Sequence, residues 1–331
     1  MRLALAKWTL GPLLLAQGRR VRRTTPVLPE PPGPREGEAG EGPLLRLLVL
    51  GDSAGAGVGA GSQEEALTGR IVAGVRGRVR VPYRLVARTG ATTASTIRNL
   101  ERAEPFAVDA AVTSLGVNDV TGDVSVARFL ELQARLHALL RERFGARLIL
   151  ASGIPPMHRF PALPQPLRWY LGARARELDR ALAAALPDSH GAEYLAVAGE
   201  LDTAHMAADG FHPGPAVYAA WGEAAADRIA RAFDRAGKAD SRRRTMVRVT
   251  VLYPNTPGSR FDMDYYVRKH CPMVMARLGA ACRGFGVEEG VAGIMPPGKA
   301  TYPPKAWVPF GPMESFQAGV WAHARETAGR I

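Results

Sequence analysis

From Leu44 onward, short apolar runs alternate with segments in which apolar positions recur every three or four residues. LLRLLVL (44–50) is apolar almost without a break, the pattern of a strand buried on both faces. AVDAAVTSLG (107–116) and RLILASG (147–153) repeat it, and Tyr83 to Ala87 and Glu193 to Val197 give weaker strands. Helices are expected over Gln63 to Val75, Ala94 to Leu100, Val126 to Phe144, Leu167 to Leu186 and Pro215 to Phe233. Such alternation predicts an α/β chain, a three-layer α/β/α sandwich around a parallel sheet. Ligands of open parallel sheets bind beyond the carboxyl ends of the strands. Chemistry is therefore expected in the loops that follow strands: GDSAGAGVGAG (51–61), RTGATT (88–93), SLGVNDV (114–120) and ADGFHPG (208–214).

The flanks break this pattern. Leu3 to Ala16 is apolar, interrupted by Lys7 and followed by Arg19, Arg20, Arg22 and Arg23. It is shorter than the roughly 20 residues a membrane-spanning helix needs. Its charge follows the apolar run, the reverse of a secretory signal. It reads as a basic leader, either a membrane-surface helix with a basic edge or a loosely docked segment. TTPVLPEPPGPREGEAGEGP (24–43) is a Pro/Gly/Glu-rich linker expected to form no packed element. The expected organisation is leader and linker over 1–43, a first domain over 44–236, a charged linker over 237–245 and a second domain over 246–331.

Length and composition agree with two domains, since 331 residues that are 47% hydrophobic can bury substantial cores. The net charge of +12 is spread as Arg along helices and termini, without an aromatic-interleaved basic motif, so no nucleic-acid partner is expected. The two cysteines, Cys271 and Cys282, exclude a disulfide framework, and no Cys/His cluster has zinc spacing, so no metal is expected. Free thiols suit a reducing, cytoplasmic setting; membrane association through the leader and export both stay open.

The stretch 51–61 fits more than one template. GDSAG is a literal G-x-S-x-G nucleophile elbow, and GAGVGA a G-x-G-x-x-A dinucleotide turn. The dinucleotide template wants an acidic residue at the end of the second strand, where this chain has Arg88, a residue tolerant of an NADP phosphate. It also leaves the other three loops unexplained. Acyl transfer uses all four: Ser53 as nucleophile, His212 to take its proton, Asp209 to hold the ring, and Gly90 N–H with the Asn118 amide as oxyanion donors. Plainer roles exist for each: Ser53 as a helix N-cap, Asn118 and Asp119 as turn residues, His212 as a surface histidine. Asp52 adjoins Ser53 too closely to reach across an imidazole and reads as a turn-stabilising carboxylate.

GDS, the Gly of RTGATT, GVND and DGFH, in that order, resemble the four sequence blocks of the SGNH (GDSL-type) hydrolases over roughly 44–236. The resemblance implies a flavodoxin-like sandwich and a Ser53, Asp209, His212 triad. It implies an oxyanion hole from Ser53 N–H, Gly90 and Asn118, with Asp52, Gly116 and Asp119 in support. It also implies an acyl-enzyme on Ser53, cleared by water activated by His212, without metal or organic cofactor. The proline-rich segment after the fourth strand reads as a lid, and Phe160, Trp169 and Tyr170 in and beside it suggest a small acyl or aryl ester as substrate. A second reading is a non-catalytic, oligomeric binding protein on a hydrolase scaffold, and a third an NADP-binding oxidoreductase.

The last region resembles EthD-type domains of the dimeric α+β barrel superfamily through MVRVTVLY, Pro254, Asn255, Phe261, Asp262, Tyr265, Tyr266, His270, Pro272 and Met273. A ferredoxin-like order is implied: strand 246–253, helix 262–277, a strand near 282–292 and a helix around 312–326. The prolines of PPGKATYPPKAWVPFGP (296–312) oppose a paired central strand. No residues follow for a last strand, so an incomplete copy is expected, serving as a homodimer contact and carrying no chemistry; His270 reads as structural.

Overall fold

The computed structural model describes residues 2–186, 191–197, 202–244, 248–253, 260–279, 282–289, 293–294, 297–298 and 304–310. The chain divides into two compact units, Met1–Ala232 and Phe233–Ile331.

The first unit is built on a six-stranded sheet. Its strands are β1 (Glu36–Ala39), β2 (Leu47–Gly51), β3 (Val81–Ala87), β4 (Ala110–Ser114), β5 (Leu148–Ser152) and β6 (Ala192–Leu195), in the order β1-β3-β2-β4-β5-β6. β2 to β6 are parallel and β1 is an antiparallel edge. The helices are α1 (Arg2–Thr24), α2 (Leu67–Val75), α3 (Thr93–Arg102), α4 (Val117–Thr121), α5 (Val126–Phe144), α6 (Leu167–Ala185) and α7 (Pro215–Arg244), which belongs to this unit as far as Ala232. Every residue of β2, β4 and β5 is buried, as continuous apolar runs demand. Gly51 sits in register with Ala87 on one side and Ser114 on the other. The loops after β2, β3 and β4 therefore leave the sheet level with one another, where the strand order reverses.

Several segments differ from the sequence expectation. The helix expected from Gln63 begins at Leu67, because residues 52–66 form successive turns and Gln63 is buried, its Nε2 donating to Pro31 O and Ala56 O. The linker 24–43 does contain a packed element: β1 pairs with β3 from Glu36↔Arg84 to Ala39↔Val81. A four-residue edge strand held by backbone pairing, with Glu36–Arg84 and Glu38–Arg80 ion pairs on its exposed face, leaves no apolar alternation to read. The charged stretch after 236 continues α7 as far as Arg244, since Arg, Lys and Ala are good helix formers.

The leader is a helix with one face down. Leu3, Leu10, Leu14 and Val21 pack against the core, Lys7 pairs with Asp123, and Gln17 bonds Gln165 O and Leu167 N. Among the described residues, no helix is long and apolar enough to cross a membrane.

The second unit has an antiparallel sheet of β7 (Arg248–Leu252), β8 (Gly286–Glu289) and β11 (Pro304–Pro309), in the order β7-β11-β8. A short pair, β9 (Gly293–Ile294) and β10 (Pro297–Gly298), lies apart from it. Its helical segment runs through α8 (Met263–Tyr265), a π turn (Tyr266–His270) and α9 (Cys271–Leu278). β11 occupies the middle, against the expectation drawn from its prolines. Pro304 and Pro309 stand at its two ends, leaving Lys305 to Val308 to supply the ladder N–H groups. Trp307 lies across from Gly286, where a Cβ would come within 2.3 Å of the indole, and Arg248 stacks over the same ring at 4.4 Å. Pro254, Asn255 and the region 312–326 lie outside the described residues.

Candidate active site

The chain leaves β2 at Gly51 and turns back at once. Asp52 N donates to Ser114 O, Ala54 N to Asp52 Oδ1 at 3.1 Å, and Val58 N to Ser53 O. From α7, the buried Tyr218 hydroxyl spans the loop, within 3.1 Å of Ala54 O and 2.7 Å of Val58 O. Gly59, at φ +98°, lies where a Cβ would come within 2.2 Å of Pro213 O, so only glycine lets this loop close against the histidine turn.

That turn is organised by Asp209. Its Oδ1 accepts the Phe211 and His212 N–H groups at 2.9 and 3.0 Å, and its Oδ2 lies 2.5 Å from His212 Nδ1. The other ring nitrogen, Nε2, stands 2.9 Å from Ser53 Oγ. Burial pushes the Asp209 carboxyl upward, but hydrogen bonds from the His212 side chain, the His212 N–H and the Phe211 N–H outweigh it and hold the pKa below the ordinary 3.8. An ionised Asp209 fixes Nδ1 as the protonated nitrogen, leaving Nε2 to accept from Ser53.

The loops after β3 and β4 are tied to this one. Asn118, in the first turn of α4, donates from Nδ2 to Ala91 O at 3.0 Å and lies 3.4 Å from Asp52 Oδ2. One amide thus links all three post-strand loops. Gly116 caps α4 at φ +131°, and Gly90 turns at φ +82° with open space around it. Asp119 is buried; its Oδ2 accepts the Thr93 N–H and hydroxyl, and Thr93 Oγ1 accepts from Gln133. Burial pushes the Asp52 carboxyl up to about 6, against the N–H groups of Ala54 and Gly55 and the nearby His212.

Beside Ser53 lies a cavity of about 50 Å³, lined chiefly by Leu115, Val117, Phe160, Phe211 and Trp221. Phe160 meets Phe211 edge-on at 5.1 Å. Trp169 and Tyr170 are not at this cavity: Trp169 is 43% exposed on α6, and the Tyr170 hydroxyl donates to Asp123. The composition of the lid groups the two with Phe160 but does not say which face of α6 they take. Tyr218 and Trp221, three apart on the inward face of α7, were absent from the sequence reading, although that spacing of aromatics on an amphipathic helix marks them as inward. The dinucleotide template loses its geometry here. No helix begins until Leu67, so the glycines 55–59 open no helix N-terminus for a pyrophosphate.

Known proteins match parts of this chain. A curated relative, the GDSL-like esterase Rv1075c of Mycobacterium tuberculosis, is 30% identical over 198 residues, 54% of this chain and 62% of the relative. The chain thus spans less than two thirds of that relative's length. A solved member of the lipolytic protein G-D-S-L family from Veillonella parvula is 15% identical, covering 56% of this chain and 99% of its own, with a TM-score of 0.46. An EthD-like protein from Ralstonia eutropha is 39% identical over 26% of this chain and 77% of its own, with a TM-score of 0.24. The family profile described as GDSL-like lipase/acylhydrolase matches residues 49–220, more than half of the chain and all four loops described above. On that match, this chain belongs to the GDSL-like lipase/acylhydrolase family.

Proposed function

We propose that the protein is a serine hydrolase of carboxylic esters that passes through an acyl-enzyme on Ser53. The observation that carries this reading is the run of contacts from Ser53 Oγ to His212 Nε2 at 2.9 Å and from Nδ1 to the buried Asp209 at 2.5 Å. Ser53 Oγ adds to the ester carbonyl as its proton moves to Nε2. The oxyanion that forms meets the N–H groups of Ser53 and Gly90 and the Asn118 amide, whose longer contact, to Asp52, is the one to exchange for the substrate oxygen. His212 then gives its proton to the leaving alkoxide, and in the second half takes one from the water that releases the acid.

The cavity beside Ser53 supports a small acyl group. Its 50 Å³ is a third of the roughly 150 Å³ that accommodates benzene in an engineered apolar cavity, which fits an acyl group of a few carbons. The test is hydrolysis of p-nitrophenyl esters from acetate to palmitate by wild type and Ser53→Ala. Turnover is expected to favour the shortest esters and to fall by about 10⁴ to 10⁶ in the variant. Activity surviving in Ser53→Ala counts against the mechanism, and a preference for palmitate against the acyl size.

Two contacts belong to the same reading. The outward face of α1 exposes Leu5, Trp8 and Leu15 ahead of Arg19, Arg22 and Arg23, which supports peripheral contact with an anionic membrane surface. The second unit exposes Val251, Leu252, Phe261, Tyr265 and Met273, which supports its use as a homodimer contact. The unpaired Cys271 and Cys282 suit a cytoplasmic setting.

A further inference from the structure

Residues 30–39 lie ahead of the family match, which begins at residue 49, yet they are stitched to both loops that carry the chemistry. Glu30 Oε1 accepts from the Thr89 N–H and the Thr89 hydroxyl, each at 3.0 Å. Its other oxygen accepts from Arg35 at 2.7 Å; Arg35 also donates to Ala87 O at the end of β3, and its own carbonyl accepts from Leu85 N. Toward the nucleophile loop, Pro32 O accepts from Gln63 N, while Gln63 Nε2 bridges Pro31 O and Ala56 O. The segment therefore runs as a strap from the loop that presents Ser53 to the turn that presents Gly90.

The turn after β3 is otherwise held only at its ends among the described residues. Arg88 N donates to Gly51 O, Ala91 N closes back on Arg88 O, and Ala91 O accepts from Asn118. Between those anchors stand Thr89 and Gly90, both exposed, and Gly90 has the conformational freedom of a glycine at φ +82°. Thr89 is fixed by the Glu30 carboxylate. The two contacts hold the Thr89 N–H and side chain, and with them the rotation about its N–Cα bond, so that a single soft dihedral, the Thr89 ψ, separates this anchor from the peptide plane that carries the Gly90 N–H. Burial pushes the Glu30 carboxyl upward, but its bonds from Thr89 and Arg35 prevail and hold it below the ordinary 4.5, so it is an acceptor throughout the neutral range.

We propose that Glu30 is a positioning residue for the oxyanion hole, aiming the Gly90 N–H at the substrate oxygen through its double contact with Thr89. The inference rests on the serine-hydrolase reading of Ser53. Its test uses the full chain as wild type, Glu30→Ala and Glu30→Gln. The readouts are kcat and KM on p-nitrophenyl acetate, the rate at which a fluorophosphonate labels Ser53, and the melting temperature. Losing an oxyanion donor outright costs about 10² to 10³ in kcat, so a misaimed donor is expected to cost about tenfold. Glu30→Ala should therefore lower kcat and the labelling rate together by about tenfold, with KM changed by less than about twofold. Glu30→Gln keeps an oxygen acceptor for Thr89 and should recover most of both rates. A purely structural role would lower the melting temperature and leave the kcat of the folded fraction alone.

Should Glu30→Ala fail to fold, Thr89→Val removes the hydroxyl half of the contact and should lower both rates about threefold; unchanged rates there overturn the inference. An active wild type with an equally active, folded Glu30→Ala overturns it alone. A wild type that neither turns over esters nor reacts with the fluorophosphonate overturns the serine-hydrolase reading and this one together.

Discussion

His137 is held on the inward side of α5 with its Nε2 buried and, among the described residues, without a hydrogen-bond partner. Burial pushes its pKa from 6.5 to about 4, with the positive charge of Arg141 adding to the effect. A folded-state pKa below the unfolded one means that stability is complete above pH 6.5 and is lost as pH falls toward 4, where the ring must take a proton in place. The loss over that window is about 3 kcal/mol. Melting temperatures measured across it should fall steeply for wild type and much less for His137→Leu; equal slopes would show that another group titrates. The residues proposed for the chemistry were the ones the sequence offered at this scale. Ser53, Asp209 and His212 come from short motifs whose partners lie within the same turn or at the end of a clear strand, and the structure sets them within hydrogen-bonding distance. Glu30 was not legible, because its partner Thr89 lies 59 residues away and its neighbours are the prolines and glycines that elsewhere mean absence of structure. Phe160 could not be separated from Trp169 and Tyr170 for a related reason. Composition reports an apolar residue but not the side of the chain on which it falls.

Elements were legible in proportion to their burial. β2, β4 and β5 are wholly buried and read directly from their apolar runs, whereas β1 exposes three of its four residues and has no apolar signature. α1 shows two faces at helical spacing. Leu3, Ala6, Leu10, Leu14 and Val21 face the core, while Leu5, Trp8 and Leu15 face out, with Trp8 86% exposed. An exposed tryptophan and leucines followed by arginines suit the boundary between headgroups and acyl chains. Co-sedimentation with vesicles containing anionic lipid should therefore retain wild type and Ser53→Ala equally, and release Trp8→Glu combined with Leu15→Glu. Equal retention of that double variant would remove α1 as the contact.

At the scale of the molecule, the first unit follows from alternating strands and helices, because each apolar face has one way to be covered. The second was harder to read, because β11 joins β7 and β8 from the far end of its segment and its prolines mask it. The apolar residues this unit exposes lead to a last expectation. Sedimentation equilibrium should show a dimer for the full chain and a shift toward monomer for Val251→Glu with Leu252→Glu; unchanged mass in the variant would exclude β7 from the contact. The strap over residues 30–39 has a different consequence, for anyone who excises the first unit. The limits of family similarity and the limits of the folding unit do not coincide in this chain. A gene fragment begun at residue 49 would strip the cover from the edge of β3, inviting strand pairing between copies, and would leave the Thr89 N–H group without its acceptor. Such a fragment would hold all four family blocks and still be an unfinished protein.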